Sequence, residues 1–520
     1  MEPRQNTASL INPDTVSKDA YGHSRSQPQT YPSESSHSKS NNIAMGPNQH
    51  CNTYASPMLS VEKALCVISE QTPTSIMVDT PVTTSIIGSV IAEDVYATEM
   101  VPAYRTSIID GYAIIAEERK STKGDFPIAS TAHANISEAL EPLQPGTIAR
   151  TTVGACLPPN ANSVVTIEGT ASSTLHGQET SVEMLADDIV PGENVREPGS
   201  EVALKSKILA RGDLISPAGG EISLLASTGT RTVKVFKKPR VGVLSIGSEL
   251  VEYSDPSFLV QGQIRDSTRP SLLSCIASWG FETVDLGIVQ DMCHLEHTLH
   301  DSLYGADNAC PPVDVLVTTG VSMRNLDLNP IIKGLGGTIH FDRVSMKPGM
   351  TTTFATVPSK DTVCDSATKE ARQEHKSKLI FSLPGNTASA LVTLNLFVLS
   401  ALHKLAGLGE SSQAIPTKPW MVPQLGLPRI AVVLTHHFPL DPKCTEYHRA
   451  VVTGSRSDGR LYATSTSVDA VGQRCSRVGS LAKANALVVL RAGRGVGIKG
   501  EIVEALMMGP VYGSDTRIIC

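Results

Sequence analysis

The chain has 520 residues, enough for about three or four domains of roughly 100–150 residues each, with 40% hydrophobic and 18% charged residues as in ordinary soluble proteins. Its net charge of −7 leaves no basic surplus to neutralise a phosphate backbone, which argues against nucleic-acid binding. Ten cysteines are scattered without a C-x-x-C pair or zinc-finger spacing, which suits reduced thiols in the cytoplasm.

Residues 1–56 are rich in Ser, Asn, Gln, His and Pro. They hold no apolar core of a secretory signal and too few aliphatic side chains to offset chain entropy, so they are predicted to be disordered. Order is predicted from Met58, where SVEKALCVISE (60–70) has helical spacing. GSVIAEDVYA (88–97) reads as a helix end followed by a strand. Over 98–190, short Val/Ile/Thr runs broken by Gly, Pro and Asn read as a β-rich region with many turns. AGGEISLLASTG (218–229) reads as a helix. An α/β unit is predicted over 238–408, with a polar insertion at 358–377 between two of its strands. The apolar run 387–402 carries Thr393 and Asn395 and falls short of the ~20 residues of a membrane span, so it reads as a core helix. Residues 409–425 look like a linker, and the short strands of 428–515 suit a small β-barrel.

Within 240–390, apolar strands run repeatedly into short turns: RVGVLS (240–245) into IGSEL, QIRDST (263–268) into a helix, VDVLVT (313–318) into TGVSM, VSM (344–346) into KPG, and LIFSL (379–383) into PGN. Ligands of open parallel sheets bind beyond the carboxyl ends of the strands, so these turns in one sheet predict one composite site. Asp266 stands just before a helix that Pro270 suits in its first turn. It reads either as the cap of that helix or as a carboxylate that holds Mg²⁺ or orients a water. Lys347 follows a strand and reads either as an exposed lysine or as an ammonium for a phosphate or oxyanion. The TGVSM and LPGN turns offer backbone N–H groups to anions.

The chain resembles the molybdopterin molybdenumtransferases of the MoeA family and the corresponding E domain of gephyrin and other eukaryotic insertases. The motifs that carry the resemblance run in order from VIAEDVYA (90–97), IDGYAI (109–114), VGACLPPNANSVV (153–165), ENVREPG (193–199) and SIGSEL (245–250) to GQIRDSTRPSLL (262–273), DVLVTTGVSM (314–323), IHFDRVSMKPG (339–349), LPGNTASALVT (383–393) and LDPKCTEYHR (440–449). The resemblance implies an α/β multidomain fold: a discontinuous mixed first domain (57–97 and 196–237), a β-rich inserted domain (98–195), an α/β domain like the adenylyltransferase (238–408), and a C-terminal β-barrel (426–520). It implies a homodimer that cleaves adenylylated molybdopterin and inserts molybdate with Mg²⁺, releasing AMP, and an adenylyltransferase G domain supplied on a separate chain. By the same resemblance Asp266, Ser267, Glu249 and Asp110 are catalytic, with Asp266 at the metal and Asp110 reaching the partner subunit. Gly320, Ser322, Asp327, Pro384, Gly385 and Asn386 bind the substrate, and Lys347, Arg449, Ser476 and Arg477 bind molybdate.

Several positions depart from the family pattern. The TGGVSMG loop is TGVSMR with Arg324, Thr268 replaces the Asn of IRDSN, and Thr387 replaces the Pro of LPGNP. Asn162 stands for the Asp of GADAVV, and Arg105 precedes the DGYA motif. Two readings follow: an insertase, or a diverged homologue that dimerises as a binding or scaffold module.

Overall fold

The structure, a computed structural model, describes residues 58–117, 121–132, 141–175, 178–305, 311–320, 328–359, 375–409, 425–467, 473–474, 476, 478–493 and 495–513. The expected disordered head, most of the 358–377 insertion and most of the 409–425 linker lie outside the described residues.

Helix Val61–Gln71 opens the described chain. Ser60 caps it, accepting from the Lys63 N–H at 3.3 Å, and Val61, Ala64 and Ile68 bury one face. Strand Met77–Pro81 pairs antiparallel with Thr232–Phe236, and Val95–Tyr96 with Lys207–Leu209, so two distant chain segments close one unit. Between them lies a six-stranded sheet in the order Ser163–Thr166, Gly111–Ile114, Ile148–Thr151, Gly124–Ala132, Gln178–Met184, Thr170–Leu175. Residues 88–97 do not contain the expected helix end. Val90 and Ile91 bridge Leu214 and Val235 and are fully buried, ahead of the two-residue strand. A short apolar pair buried on all sides has no period by which sequence could separate helix from strand.

The next layer is β1 (Val241–Ile246), α1 (Thr268–Ser278), β2 (Thr283–Val289), α2 (Met292–Tyr304), β3 (Val315–Thr319), α3 (Leu328–Gly334), β4 (Thr338–Phe341), β5 (Thr353–Pro358), β6 (Ser377–Leu383) and α4 (Thr387–Leu405). The sheet order is β2-β1-β3-β6-β5-β4. The first four strands are parallel, β5 runs antiparallel to β6, and β4 antiparallel to β5. Alternate residues of β1 serve two cores. Val241 and Val243 join Leu272 and Ile276 of α1, whereas Leu244 and Ile246 join Leu295, Leu299 and Leu303 of α2. Burial on both faces explains why these strands read as continuous apolar runs. Because β2 lies on one side of β1 and β3 on the other, the ends of β1 and β3 flank a switch point, where such sheets bind ligands.

Helix α4 is the core helix expected from its composition. It is long and apolar enough to cross a membrane, yet 83% of its apolar window is buried inside the fold. Its polar residues are satisfied locally, Thr393 Oγ1 donating to Ser389 O at 3.0 Å and Asn395 Nδ2 to Leu391 O at 2.8 Å. In its last turn His403 accepts from the Gly426 N–H at 3.1 Å, and burial pushes its imidazole down to about 4. Between the ordinary His value of about 6.5 and that value, the unfolded chain binds a proton that the folded chain refuses, so stability falls as pH falls through this window by about 3 kcal/mol. His403→Asn, which keeps an acceptor for Gly426, is expected to flatten the fall. Urea unfolding at pH 7 and pH 4.5 checks this, and equal slopes for variant and parent would assign the fall to other groups.

The C-terminal layer is a closed barrel of β7 (Arg429–Leu434), β8 (Thr445–Gly454), β9 (Leu461–Ser465), β10 (Ala486–Leu490) and β11 (Ile502–Met507), hydrogen-bonded around the ring β8-β9-β7-β11-β10 and back to β8. The five strand–turn units do not all share one sheet. The ends of β1, β3 and β6 do. Ile264–Arg265 pairs instead with Leu250–Val251, and Met346–Lys347 joins the barrel through Thr445 and Glu446 of β8. Strands of two residues carry no period of their own to read.

Candidate active site

Three parallel strand ends meet backbone to backbone. Gly320, the residue after β3, has φ +94°, and a Cβ there would stand 2.2 Å from the Ile246 carbonyl oxygen of β1. A Cβ on Gly385, just past β6, would stand 3.0 Å from the Gly320 Cα. Only glycine permits both approaches. Thr319 Oγ1 donates to the Pro384 carbonyl at 3.2 Å, and Asn386 caps α4 by accepting from the Ala388 N–H at 3.2 Å. Gly320, Pro384, Gly385 and Asn386 are thereby brought together at the switch point. Ser322 and Asp327 lie outside the described residues.

Asp266 sits beside them at 1% exposure, with both oxygens committed. Oδ1 accepts from the Thr268 and Arg269 N–H groups, each at 3.1 Å, which caps α1, and Oδ2 accepts from Arg269 Nε at 3.0 Å. The Arg269 guanidinium, equally buried, also bonds Asp285 and, at 2.5 Å, Glu252. Ser267 and Thr268 turn their hydroxyls toward Thr387 at the start of α4, at 3.0 and 2.8 Å. Glu249 is exposed and folds back so closely that a Cβ on Gly247 would stand 2.8 Å from its Oε2.

Lys347 reaches across its strand pairing to Glu446, Nζ to Oε2 at 3.0 Å, with Asp441 Oδ2 at 3.8 Å. Burial alone would lower its ammonium, but the Glu446 hydrogen bond and charge, with Asp441, hold it above its ordinary value. Burial would likewise raise Glu446, yet the bonds from His448 and Lys347 hold it below the usual range. Arg449 does not join Lys347. Side chains alternate along a strand, so Glu446 and His448 share one face of β8 and Arg449 takes the other. There Arg449, 1% exposed, bonds Ser480 Oγ at 3.1 Å and the Arg474 carbonyl at 3.2 Å. Ser476 is exposed in a turn, and Arg477 lies outside the described residues. Asp110 is in the inserted sheet's domain, exposed, and accepts from the Val153 N–H at 2.9 Å.

Sequence reasoning missed Arg269, Glu252, Glu446 and His448, although the EYHR motif placed the last two in view. It also treated Thr268 and Thr387 as separate departures, whereas they are bonded to each other. Proline fits the first position of a helix, so Thr387→Pro should fold while losing both hydroxyl contacts, at about 0.5–1.5 kcal/mol. Adding Thr268→Asn is expected to cost less than the sum of the two single changes, by about 0.5–1 kcal/mol in a urea-unfolding cycle. Strict additivity would mean that the two hydroxyls do not act as a pair. Asn162 has its own local reason: it accepts from the Ala116 N–H at 2.7 Å and donates to the Ala116 carbonyl at 2.9 Å, and a carboxylate could not make the second bond.

Comparison with known proteins follows the same order along the chain. The MoeA N-terminal region (domain I and II) matches residues 59–229, the probable molybdopterin binding domain 242–404, and the MoeA C-terminal region (domain IV) 431–508. Gephyrin of Dictyostelium discoideum is 34% identical over 454 residues, covering 82% of this chain, and the chain spans only 59% of that protein. The molybdopterin molybdenumtransferase of Bacillus subtilis is 30% identical over 430 residues, covering 82% of this chain and 88% of the relative. A crystal structure of a molybdopterin biosynthesis MoeA protein from Pyrococcus horikoshii covers 87% of this chain and all of its own, at 22% identity and a TM-score of 0.63, which speaks to the fold.

Proposed function

The chain belongs to the MoeA family of molybdopterin molybdenumtransferases, and from that premise we propose that it inserts molybdenum into molybdopterin during molybdenum cofactor biosynthesis. The substrate in this reading is adenylylated molybdopterin. Water adds across its pyrophosphate bond to give AMP and molybdopterin phosphate, and the two dithiolene sulfurs displace one oxide of molybdate, which leaves as water with the thiol protons. The observation that carries the reading is the glycine-to-glycine contact of Gly320 and Gly385 at the switch point, beside the hydroxyls of Ser267, Thr268 and Thr387. Such a turn presents backbone N–H groups to phosphate without side chains in the way.

The half-exposed Lys347 is the group for molybdate, since its ammonium meets solvent. Arg449 serves by position, holding Arg474 and Ser480 on either side of Ser476. Asp266 holds the N-terminus of α1 and thereby the Ser267 hydroxyl. Buried at 1% exposure and already ion-paired with Arg269, it does not fit a resident Mg²⁺, and among the described residues no group of three His, Cys, Asp or Glu could hold a metal. The reading carries with it a homodimer in which Asp110 serves the partner's site, an adenylyltransferase on a separate chain, and a cytoplasmic setting. The ammonium and hydroxyl set favours a transferase over a scaffold module. Purified protein given adenylylated molybdopterin and molybdate should release AMP and reconstitute an apo molybdoenzyme. Substrate binding without either outcome would favour the scaffold.

A further inference from the structure

Lys347 is poorly prepared, as it stands, for the anion assigned to it. One ammonium faces two carboxylates, Glu446 at 3.0 Å and Asp441 at 3.8 Å, so an incoming dianion meets an ammonium that is already paired. Glu446 cannot swing aside to make room. It is 4% exposed, and its other oxygen is bonded to His448 Nδ1 at 2.9 Å. His448, 3% exposed, is in turn fixed by Ser465 Oγ at 2.8 Å from Nε2 and by the Phe438 ring, edge-on at 4.9 Å. Lys347, by contrast, keeps 40% of its side chain open to solvent on a flexible stem. The carboxylate is the fixed partner and the ammonium the mobile one.

We propose that Glu446 is a built-in competitor for the oxyanion, setting how tightly Lys347 can hold a tetrahedral dianion such as molybdate. This rests on the reading that Lys347 takes molybdate. Loading then requires the ammonium to be drawn off Glu446 toward the anion. Release is assisted by its return to a carboxylate held in place by His448, which Ser465 fixes in turn. Such a site trades affinity for exchange, which suits an anion that must be handed on and not stored.

The sign of the expected effect separates this role from a structural one, because damage to the fold does not tighten binding. Titration calorimetry with molybdate alone on the full chain is the measurement. Glu446→Gln removes the competing charge at nearly constant shape and should tighten molybdate about five- to tenfold, the scale of a half-buried ion pair. Asp441→Asn keeps the oxygen that accepts from the Lys443 and Cys444 N–H groups, at 2.9 and 3.2 Å, and should tighten it about twofold. It therefore serves as the second test if Glu446→Gln does not fold. Lys347→Ala should abolish binding. Tightening in the carboxylate variants together with loss in Lys347→Ala supports the proposal. Unchanged or weaker binding in the carboxylate variants, with Lys347→Ala still dead, overturns the competitor role and leaves the molybdate assignment standing. Undiminished binding in Lys347→Ala overturns both.

Discussion

Arg269→Met is expected to remove about 3–5 kcal/mol of folding stability, the cost of breaking a buried ion pair from one side. The Arg269 side chain is 2% exposed and is the shared partner of Asp266, Glu252 and Asp285. Glu252 and Asp285 are each more than 40% exposed and can turn to water, but Asp266 at 1% cannot. Without the guanidinium, Asp266 keeps its two helix N–H donors and loses its counter-charge. Asp266→Asn is expected to be milder, about 1–3 kcal/mol, because an amide oxygen can still cap α1 and the other two carboxylates still flank Arg269. Urea unfolding of the two variants checks the order. Should Arg269→Met unfold at the parent's midpoint, the three carboxylates are not organised by this residue, and the role of Asp266 returns to a plain helix cap.

How far the sequence discloses this arrangement depends on how local the cause is. The parallel strands are legible because burial on both faces writes a continuous apolar run, as in β1 and β3. The cap of α1 is legible because Asp266, Ser267 and Pro270 are all short-range signals. The barrel is legible as a run of short strands with turns. Arg269 is not, since an arginine in the first turn of a helix normally lies in solvent. Its burial is decided by Glu252 and by Asp285 of β2, and neither spacing predicts contact. The KPG turn leaves the parallel sheet for a related reason: a strand of two residues has no pattern of its own, and its place is fixed by β8 from far along the chain.

The split between Lys347 and Arg449 was more nearly readable. In EYHR the alternation of a strand already puts Glu446 with His448 and turns Arg449 away. What the sequence lacks is the fact that Lys347 pairs with Glu446 and not with Arg449, and that is a matter of register. The departures Thr268 and Thr387 show the same limit from the other side. Taken singly they look like losses from a motif, whereas in space each supplies the other's hydrogen bond.

Gly320→Ala is expected to have the largest effect on activity. Two costs add at this position. An alanine at φ +94° pays the penalty of left-handed backbone, about 1–2 kcal/mol. Its Cβ would also fall 2.2 Å from the Ile246 carbonyl oxygen, a backbone atom of β1, and Gly320 directly follows β3 of the same sheet, so no side chain can swing clear. The ends of β1 and β3 must therefore separate, and Gly385, packed on Gly320, moves with them. A displacement of about 1 Å at a site of this kind can cost about a hundredfold in rate, so AMP release should fall by at least that much, with stability lower by about 3 kcal/mol or more. Gly500→Ala supplies the comparison. Its φ is +90° but nothing lies within 4 Å of its Cβ position, so it should show the backbone penalty alone and keep its AMP release. Equal stability losses in the two variants would mean that the strand ends do not touch as closely as described. A Gly320→Ala protein that still releases AMP within a few-fold of the parent would mean that the substrate does not lie on this turn, and the active site would have to be sought away from the switch point.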